Sequence, residues 1–512
     1  MNITTKIISK GRVIGYIIDG RQISREAILK HRKELKKYGI ICDSTGLIRC
    51  NSGVVKIDIK DLNRKMDFNR EITMEFDRWY SLEHDTALYV RGPRQVGKTY
   101  EVLKYSKSHF NNVVYIDITD KSKSAIRSLL EKAGSDNIMA IISTYCNSIG
   151  VHYTNDNNTV IIIDEIQDSE DIFSLIRILN RELGCRLIVT GSYLGALIFR
   201  KRVRISAGDL YAVDMTTLTF REFCKALNVK YTQCDKCISA YQVYRQIGGY
   251  PAVVKEYIQT RSIDAAMRVI SNLWDVYITE SNKYLDNMLF SEIIQMSVTT
   301  MIQRFISEKT GDQRVYDKEM AKEIASRLLD KNISKKREYL SDAISWLDVC
   351  GIIGKCEMNT TGKMKDGTQR VRYYIRDLGL LNYLVDKLVM DRSNIEGYIT
   401  ENFVYNELRE CKSNINAGIP WCSVVEGKKK EHFELDFVYL DKQTKRLVGL
   451  EVKTNRGTTT SLNYYKSNGW IQVAVKAGML NKRISNDKSY IEYPIYLIGS
   501  LDINKIDGKY NR

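Results

Sequence analysis

The 512-residue chain predicts an α/β protein centred on a mainly parallel sheet that carries a phosphate-binding loop. Three observations predict it. Between about residues 71 and 215, short apolar runs alternate with helical patterns, as strand–helix–strand units do when they build a parallel sheet. The runs are Ala87–Val90, Val113–Ile118, Val160–Ile163, Leu187–Thr190 and a less distinct one at Leu210–Val213. They are continuous and rich in β-branched residues, which suits strands buried on both faces. The first run leads into Gly92-Pro93-Arg94-Gln95-Val96-Gly97-Lys98-Thr99, and a helical pattern, Tyr100–Tyr105, follows. That is Gly, four residues, Gly-Lys-Thr in a strand–loop–helix context.

The loop is the most specific feature of the chain. Its glycines let the backbone wrap a polyphosphate, with N–H groups and the helix N-terminus facing the negative charge. The pattern predicts that residues 92–99 bind ATP, that Lys98 reaches the β- and γ-phosphates, and that the Thr99 hydroxyl holds Mg²⁺. The strand Val160–Ile163 ends in Asp164-Glu165. Ligands of such sheets bind beyond the carboxyl ends of the strands. Asp164 is therefore expected to assist Mg²⁺, and Glu165 to orient and activate the attacking water.

Composition sets the surroundings. The length allows about three or four domains, and the apolar fraction of 44% is ordinary for globular cores. With 4 prolines and no Ser/Gly/Pro-rich tract, long disordered linkers are not expected. The formal charge of +16 favours a polyanionic partner such as DNA. A surface merely rich in solvated lysines accounts for it equally well. The 11 cysteines, an odd number, fit reduced thiols better than a disulfide framework. Cys234 and Cys237 are the one close pair, with no second pair at zinc spacing. No signal-type core follows Met1, and no apolar run approaches the ~18 residues that span a bilayer. The expectation is a cytoplasmic protein with no membrane partner.

Residues 1–70 read as a small β-rich accessory module that could meet protein partners. Val13–Ile18 and Val54–Ile59 are strand-like, Asp19-Gly20 is a hairpin signal, Ser24–Leu29 starts a short helix, and Gly39–Cys42 is a further strand. Residues 216–290 are helix-rich, broken at Ile247-Gly-Gly-Tyr-Pro251. Residues 291–385 read as a winged helix. Its helices are Lys318–Leu329 and Ser334–Val349, and its hairpin runs from Gly351–Lys355 to Arg370–Ile375. Lys335, Lys336, Arg337, Lys363, Lys365, Arg370 and Arg372 would give that module a basic DNA-facing surface. The alternative is an intramolecular lid with a solvated charged face.

The tail, 396–512, carries a second constellation. Tyr398–Leu408 reads as a helix with Glu401, Phe433–Tyr439 as a strand with Asp436, and Leu447–Lys453 as a strand with Glu451 and Lys453. Residues two apart on a strand share a face, so Glu451 and Lys453 point together, and a hairpin can set Asp436 level with Glu451. Asp436 and Glu451 could hold a second divalent metal, with Lys453 polarising a water.

Taken in order, the loop, Ile-Ile-Asp-Glu-Ile-Gln167, Val-Thr-Gly-Ser192, Leu-Thr-Phe-Arg-Glu-Phe223 and Gly-Gly-Tyr-Pro-Ala-Val253 resemble a family of prokaryotic AAA-type ATPases. Those ATPases carry a C-terminal domain of unknown function with a restriction-endonuclease-like fold. The resemblance implies a five-stranded P-loop sheet, then a helical segment, a winged helix and a nuclease-like α/β domain. It also implies that Ser192 lies beside the γ-phosphate, and that Glu401, Asp436, Glu451 and Lys453 match the catalytic set of the Asp…Glu-x-Lys nucleases. The chain departs from the family at Ser206–Leu210, where Asp209 stands in place of an arginine. If that arginine touched phosphate, Arg200, Arg202 or Arg204 would have to substitute, or hydrolysis would be slow. Two functions stay open: an ATPase whose nucleotide state controls a nuclease acting on DNA, and a nucleotide-gated switch whose nuclease-like fold only binds. A DNA-binding regulator is a third. Oligomer formation is left open by Asp209.

Overall fold

The computed structural model describes residues 3–9, 12–18, 21–24, 55–58, 67–82, 86–119, 124–134, 137–192, 208–231, 233–284, 288–307, 342–359, 371–387, 392–410, 421–426, 432–453, 459–480, 485–487 and 490–504. Outside them lie most of the expected helix Ser24–Leu29, the strand Gly39–Cys42, the helix Lys318–Leu329 and the first half of Ser334–Val349. Arg200, Arg202, Arg204, Lys335, Lys336, Arg337, Lys363, Lys365 and Arg370 lie outside them too.

The N-terminal module is a four-stranded sheet of β1 (Ile3–Ser9), β2 (Arg12–Ile18), β3 (Arg21–Ser24) and β4 (Val55–Asp58), in the order β3-β2-β1-β4. β2 and β3 pair antiparallel with Ile18 opposite Arg21, and the expected turn residues Asp19-Gly20 lie outside the described residues.

The second sheet has five strands: β5 (Ala87–Gly92), β6 (Asn112–Asp117), β7 (Thr159–Asp164), β8 (Arg186–Ser192) and β9 (Leu210–Asp214). They run parallel in the order β6-β7-β8-β5-β9, so all five expected strands form. Every residue of β7 is buried, which explains its uninterrupted Val-Ile-Ile-Ile run. One apolar cluster, including Ile161, Ile163, Ile142 and Leu179, covers one face of the sheet. A second covers the other face and continues through the helices Phe220–Ala226, Cys234–Ile247, Pro251–Thr260 and Ile263–Tyr284 to Ile503.

The two glycines of the break at 247–251 have a packing reason. Leu218 N–H donates to the Gly249 carbonyl at 2.7 Å, and Gly249 N–H donates to Asp377 at 2.8 Å. A Cβ on Gly249 would collide with the Leu218 carbonyl, and one on Gly248 with the Asp377 carboxylate. Three stretches far apart in sequence thus meet at these glycines, Leu218 through its backbone and Asp377 through its carboxylate.

The third sheet has eight strands: β10 (Ile353–Asn359), β11 (Val371–Ile375), β12 (Trp421–Glu426), β13 (His432–Leu440), β14 (Leu447–Lys453), β15 (Val473–Gly478), β16 (Ser485–Asp487) and β17 (Tyr490–Pro494). Their order is β11-β10-β12-β13-β14-β15-β17-β16. The hairpin expected at 351–375 forms, but it does not stand free as a wing. Met358 pairs with Cys422, so β10 joins the sheet of the tail across the boundary drawn at 385–396. An unpaired strand edge leaves its hydrogen-bonding groups unsatisfied, and this pairing removes the edge. Among the described residues, no helix is long and apolar enough to cross a membrane.

Candidate functional site

The phosphate loop forms where β5 ends and the helix Lys98–His109 begins. Gly97 has φ 96°, a conformation that favours glycine, and a Cβ on Gly92 would collide with the Met215 carbonyl. Lys98 is buried, and its ammonium donates to the Gly92 and Pro93 carbonyls at 3.0 and 2.8 Å, which folds it over the loop mouth. The Thr99 hydroxyl donates to Asp164 at 2.8 Å. Asp164 also accepts from the Tyr115 hydroxyl at 2.7 Å, from the Thr190 hydroxyl and from Glu165 N–H at 3.1 Å. Four donors thus hold one buried carboxylate against the loop threonine.

Glu165 follows at φ 57°, a left-handed turn that swings its side chain off the strand line. Ser192, at the end of β8, is 3% exposed, and its Oγ has no hydrogen-bond partner among the described residues. A buried hydroxyl without a partner at the carboxyl edge suits a bound phosphate or water. The donor set fits Mg·ATP: backbone N–H groups, Lys98, the paired Thr99 and Asp164, and this open hydroxyl.

A cavity of about 280 Å³ opens beside the loop. Its walls include Phe68, Val96, Tyr100, Met215 and Pro251, with Arg70 and Glu101 at its edge. It has the apolar lining a nucleobase needs. The sequence reading named Val96 in the loop and Pro251 in the Gly-Gly-Tyr-Pro break but did not bring them together with Phe68, Tyr100 and Met215, because Phe68 and Pro251 are 183 positions apart. Arg70 holds the loop from behind. It donates to the Val96 carbonyl at 3.1 Å and the Thr216 carbonyl at 2.5 Å, and pairs with Glu222 at 3.2 Å. Glu222 completes a capping box with Thr219 and accepts from Glu71 N–H at 2.6 Å. This accounts for the Leu-Thr-Phe-Arg-Glu-Phe stretch.

Asp209 sits directly before β9, as its place ahead of the run Leu210–Val213 implies. Ala87 N–H donates to its carbonyl at 3.1 Å, so it sits at the amino end of β9 beside the start of β5. The loop leaves the other end of β5, roughly 16 Å away at ~3.3 Å per residue. Its carboxylate faces Arg177 at 4.0 Å. Within one chain, an acid at this position therefore touches Arg177 and not the phosphate loop.

In the tail, the register Phe437↔Leu450 sets Asp436 level with Glu451, as the hairpin predicts. Asp436 accepts from Val452 N–H at 2.6 Å, and Lys453 pairs with Glu451 at 2.6 Å. Glu401 comes from the helix Arg392–Glu410. The four residues are brought together, but with an unforeseen member. Arg372 is 1% exposed, pairs with Glu401 at 3.2 Å, and pairs also with Glu434. Its assignment to a DNA-facing wing is corrected: pairing of β10 with β12 buries the hairpin and turns Arg372 onto the acids. Tyr374 OH donates to Glu401 at 2.5 Å. Burial pushes Asp436 well above the usual carboxylate range, and the nearby Glu401 charge adds to this against the pull of Val452 N–H and Arg372. Burial raises Glu401 too, opposed first by Arg372. Lys453 is raised: burial works the other way, and the hydrogen bond and charge of Glu451 outweigh it. Among the described residues, no three acidic, histidine or cysteine side chains are grouped as a metal cage. The acids are compensated by Arg372 and Lys453, and this arrangement does not fit a second divalent ion. One oxygen of Glu451 is buried with no hydrogen-bond partner among the described residues.

Comparison with known proteins agrees with the sheet and the loop. Residues 84–224 match the family model described as AAA domain, and residues 238–391 match one described as Domain of unknown function (DUF8612). An uncharacterized protein of Haemophilus influenzae is 22% identical over 314 residues, 60% of this chain and 70% of that one. Two Aeropyrum pernix structures are similar in part. The ORC2 protein in ADPNP–ADP complexes is 12% identical, with TM-score 0.30, over 62% of this chain and 93% of that one. The ORC1 protein in complex with DNA is 13% identical, with TM-score 0.30, over 64% and 97%.

Proposed function

We propose that this chain, which carries a P-loop AAA-type ATPase domain, binds ATP with Mg²⁺ on Gly92–Thr99 and hydrolyses it in the cytoplasm, and that its nucleotide state controls the tail. The observation that carries the reading is the 2.8 Å bond between Thr99 and Asp164, which joins the loop hydroxyl to the acid of β7 where the cation of Mg·ATP would sit. Mg²⁺ would neutralise charge on the β- and γ-phosphates. Lys98 would exchange the loop carbonyls for phosphate oxygens, Glu165 would take a proton from the attacking water, and Ser192 Oγ would orient that water. Among the described residues no two cysteines are joined in a disulfide, as a reducing compartment allows.

Control of the tail is supported by contacts that run from the loop to the acids. Arg70 ties Val96 to Glu222 on the helix Phe220–Ala226. Phe220 N–H donates to Glu407 at 2.8 Å, on the same helix as Glu401. Hydrolysis that loosened the loop would be felt along this path. Arg372 and Lys453, covering the acids, favour a non-cleaving switch over a nuclease. DNA and proteins are its candidate partners, the latter through the N-terminal module, and oligomers fit a protein of this type.

Isothermal titration with ATP tests the first part. Lys98→Ala should lose binding, and Glu165→Gln should bind ATP and hydrolyse it poorly; tight binding by the Lys98 variant sinks the loop assignment. Divalent-metal-dependent cleavage of plasmid or single-stranded DNA, abolished in Asp436→Ala, would restore the nuclease reading.

A further inference from the structure

Gln167 has no part in the chemistry described so far, yet it lies between the two groups that would handle the attacking water. It follows β7 in the turn Ile166–Asp168 and is 7% exposed. Its Oε1 accepts from Ser192 N–H at 3.0 Å, and its Nε2 donates to a carboxylate oxygen of Glu165. The orientation of the amide is fixed by its partners. Ser192 N–H can only donate, so it must face the oxygen, and the carboxylate can only accept, so it must face the nitrogen. The neighbouring backbone makes room for this. A Cβ on Gly191 would lie 2.8 Å from Gln167 Oε1, so the small residue before Ser192 is what lets the side chain cross to β8.

We infer that Gln167 is a positioning residue for ATP hydrolysis, holding Glu165 in register with the end of β8 so that the base and Ser192 Oγ address one water. Glu165 needs such a brace. It lies beyond the last paired residue of β7 in a left-handed turn, where the strand no longer fixes its direction. Among the described residues the hydroxyl of Ser192 has no hydrogen-bond partner, while its N–H is anchored by Gln167. The same amide therefore sets both the base and the backbone that carries the water-binding hydroxyl. A mere packing role would be met by any side chain of this volume; the two hydrogen bonds require an acceptor and a donor on one planar group.

The inference rests on Glu165 being the base, and the test separates the two. Steady-state ATPase kinetics and ATP affinity are measured for wild type, Gln167→Met, Gln167→Glu, Glu165→Gln and the double variant Glu165→Gln/Gln167→Met. Methionine keeps the volume and loses both bonds. Glutamate keeps the acceptor for Ser192 N–H and loses the donor to Glu165. Both single Gln167 variants should lose about 10- to 100-fold in kcat, the scale of a base misplaced by ~1 Å, with KM and Kd for ATP within about 2-fold of wild type. In the Glu165→Gln background, Gln167→Met should cost much less than it does in the wild type, because the part of its effect that passes through Glu165 is already removed and only the loss of the Ser192 N–H anchor remains. An unchanged kcat in both single variants overturns the inference and leaves Glu165 in place. So does an additive loss in the double variant, or a loss confined to KM. Wild-type turnover in Glu165→Gln removes the base assignment and this inference with it.

Discussion

Replacing Glu222 by alanine probes the connection behind the phosphate loop. Arg70 and Glu222 side chains are each 4% exposed, so the variant leaves a guanidinium buried without its counter-charge. Breaking a buried pair in this way costs about 3–5 kcal/mol. The same carboxylate accepts from Glu71 and Thr219 N–H, at 2.6 and 3.0 Å, and closes the capping box of the helix Phe220–Ala226. Loss of a cap interaction adds ~1 kcal/mol. The two terms share one side chain and are not additive, so about 4 kcal/mol is expected. The assay is urea unfolding followed through the first transition, with titration of ATP below that transition. ATP affinity should fall as well, because Arg70 would no longer be directed at the Val96 carbonyl. The reasoning fails if Glu222→Ala costs less than about 1 kcal/mol and binds ATP as wild type does.

Further outcomes follow from other contacts. Gly249→Ala should lower the melting temperature sharply, since its Cβ meets the Leu218 carbonyl head-on; a melting curve like that of wild type would show that the 218–249 approach does not hold in solution. Burial pushes Glu407 up to about 8, above its unfolded value of 4.5. A carboxyl raised on folding gives stability that is full below pH ~4.5 and is lost as pH rises through ~8. Melting temperature measured from pH 5 to 9 should therefore fall more in wild type than in Glu407→Gln, which keeps an acceptor for Phe220 N–H and does not ionise. Arg372→Met should destabilise the tail by about 3–5 kcal/mol, because Glu401 and Glu434 lose their buried cation. Equal resistance to urea in that variant would mean the acids are compensated in another way.

The ATPase sheet was legible because each strand is buried on both faces and so appears as an unbroken apolar run. The loop was legible because its chemistry lies in eight consecutive residues. Asp164 could be placed from sequence as the last residue of such a run. The path of the chain around the site could not. Arg70 meets Glu222 from 152 positions away, and neither stands in a pattern that announces its partner. The place of Asp209 ahead of the run Leu210–Val213 was legible, but the Arg177 that its carboxylate faces was not. Arg372 was assigned to a basic surface because the hairpin was read as the wing of a winged helix. Its burial depends on β12 docking against β10, which the sequence of the hairpin does not encode. Glu401, Asp436, Glu451 and Lys453 were found by face and register, and the arginine that pairs with Glu401 lay on a strand assigned to another module.

The helix Arg392–Glu410 has a consequence for dissecting this protein. On one turn Glu401 meets Arg372 and Tyr374; on later turns Glu407 receives Phe220 N–H and Glu410 pairs with Arg376 at 2.5 Å. Asn402 brackets Ile375 with bonds to its N–H and carbonyl, at 2.8 and 2.5 Å. A truncation before residue 392 would strip acceptors and counter-charges from the half that remains. The halves flanking this helix are therefore expected to unfold together, and exchanging one for the equivalent part of another protein would require its whole contact surface to be transplanted with it.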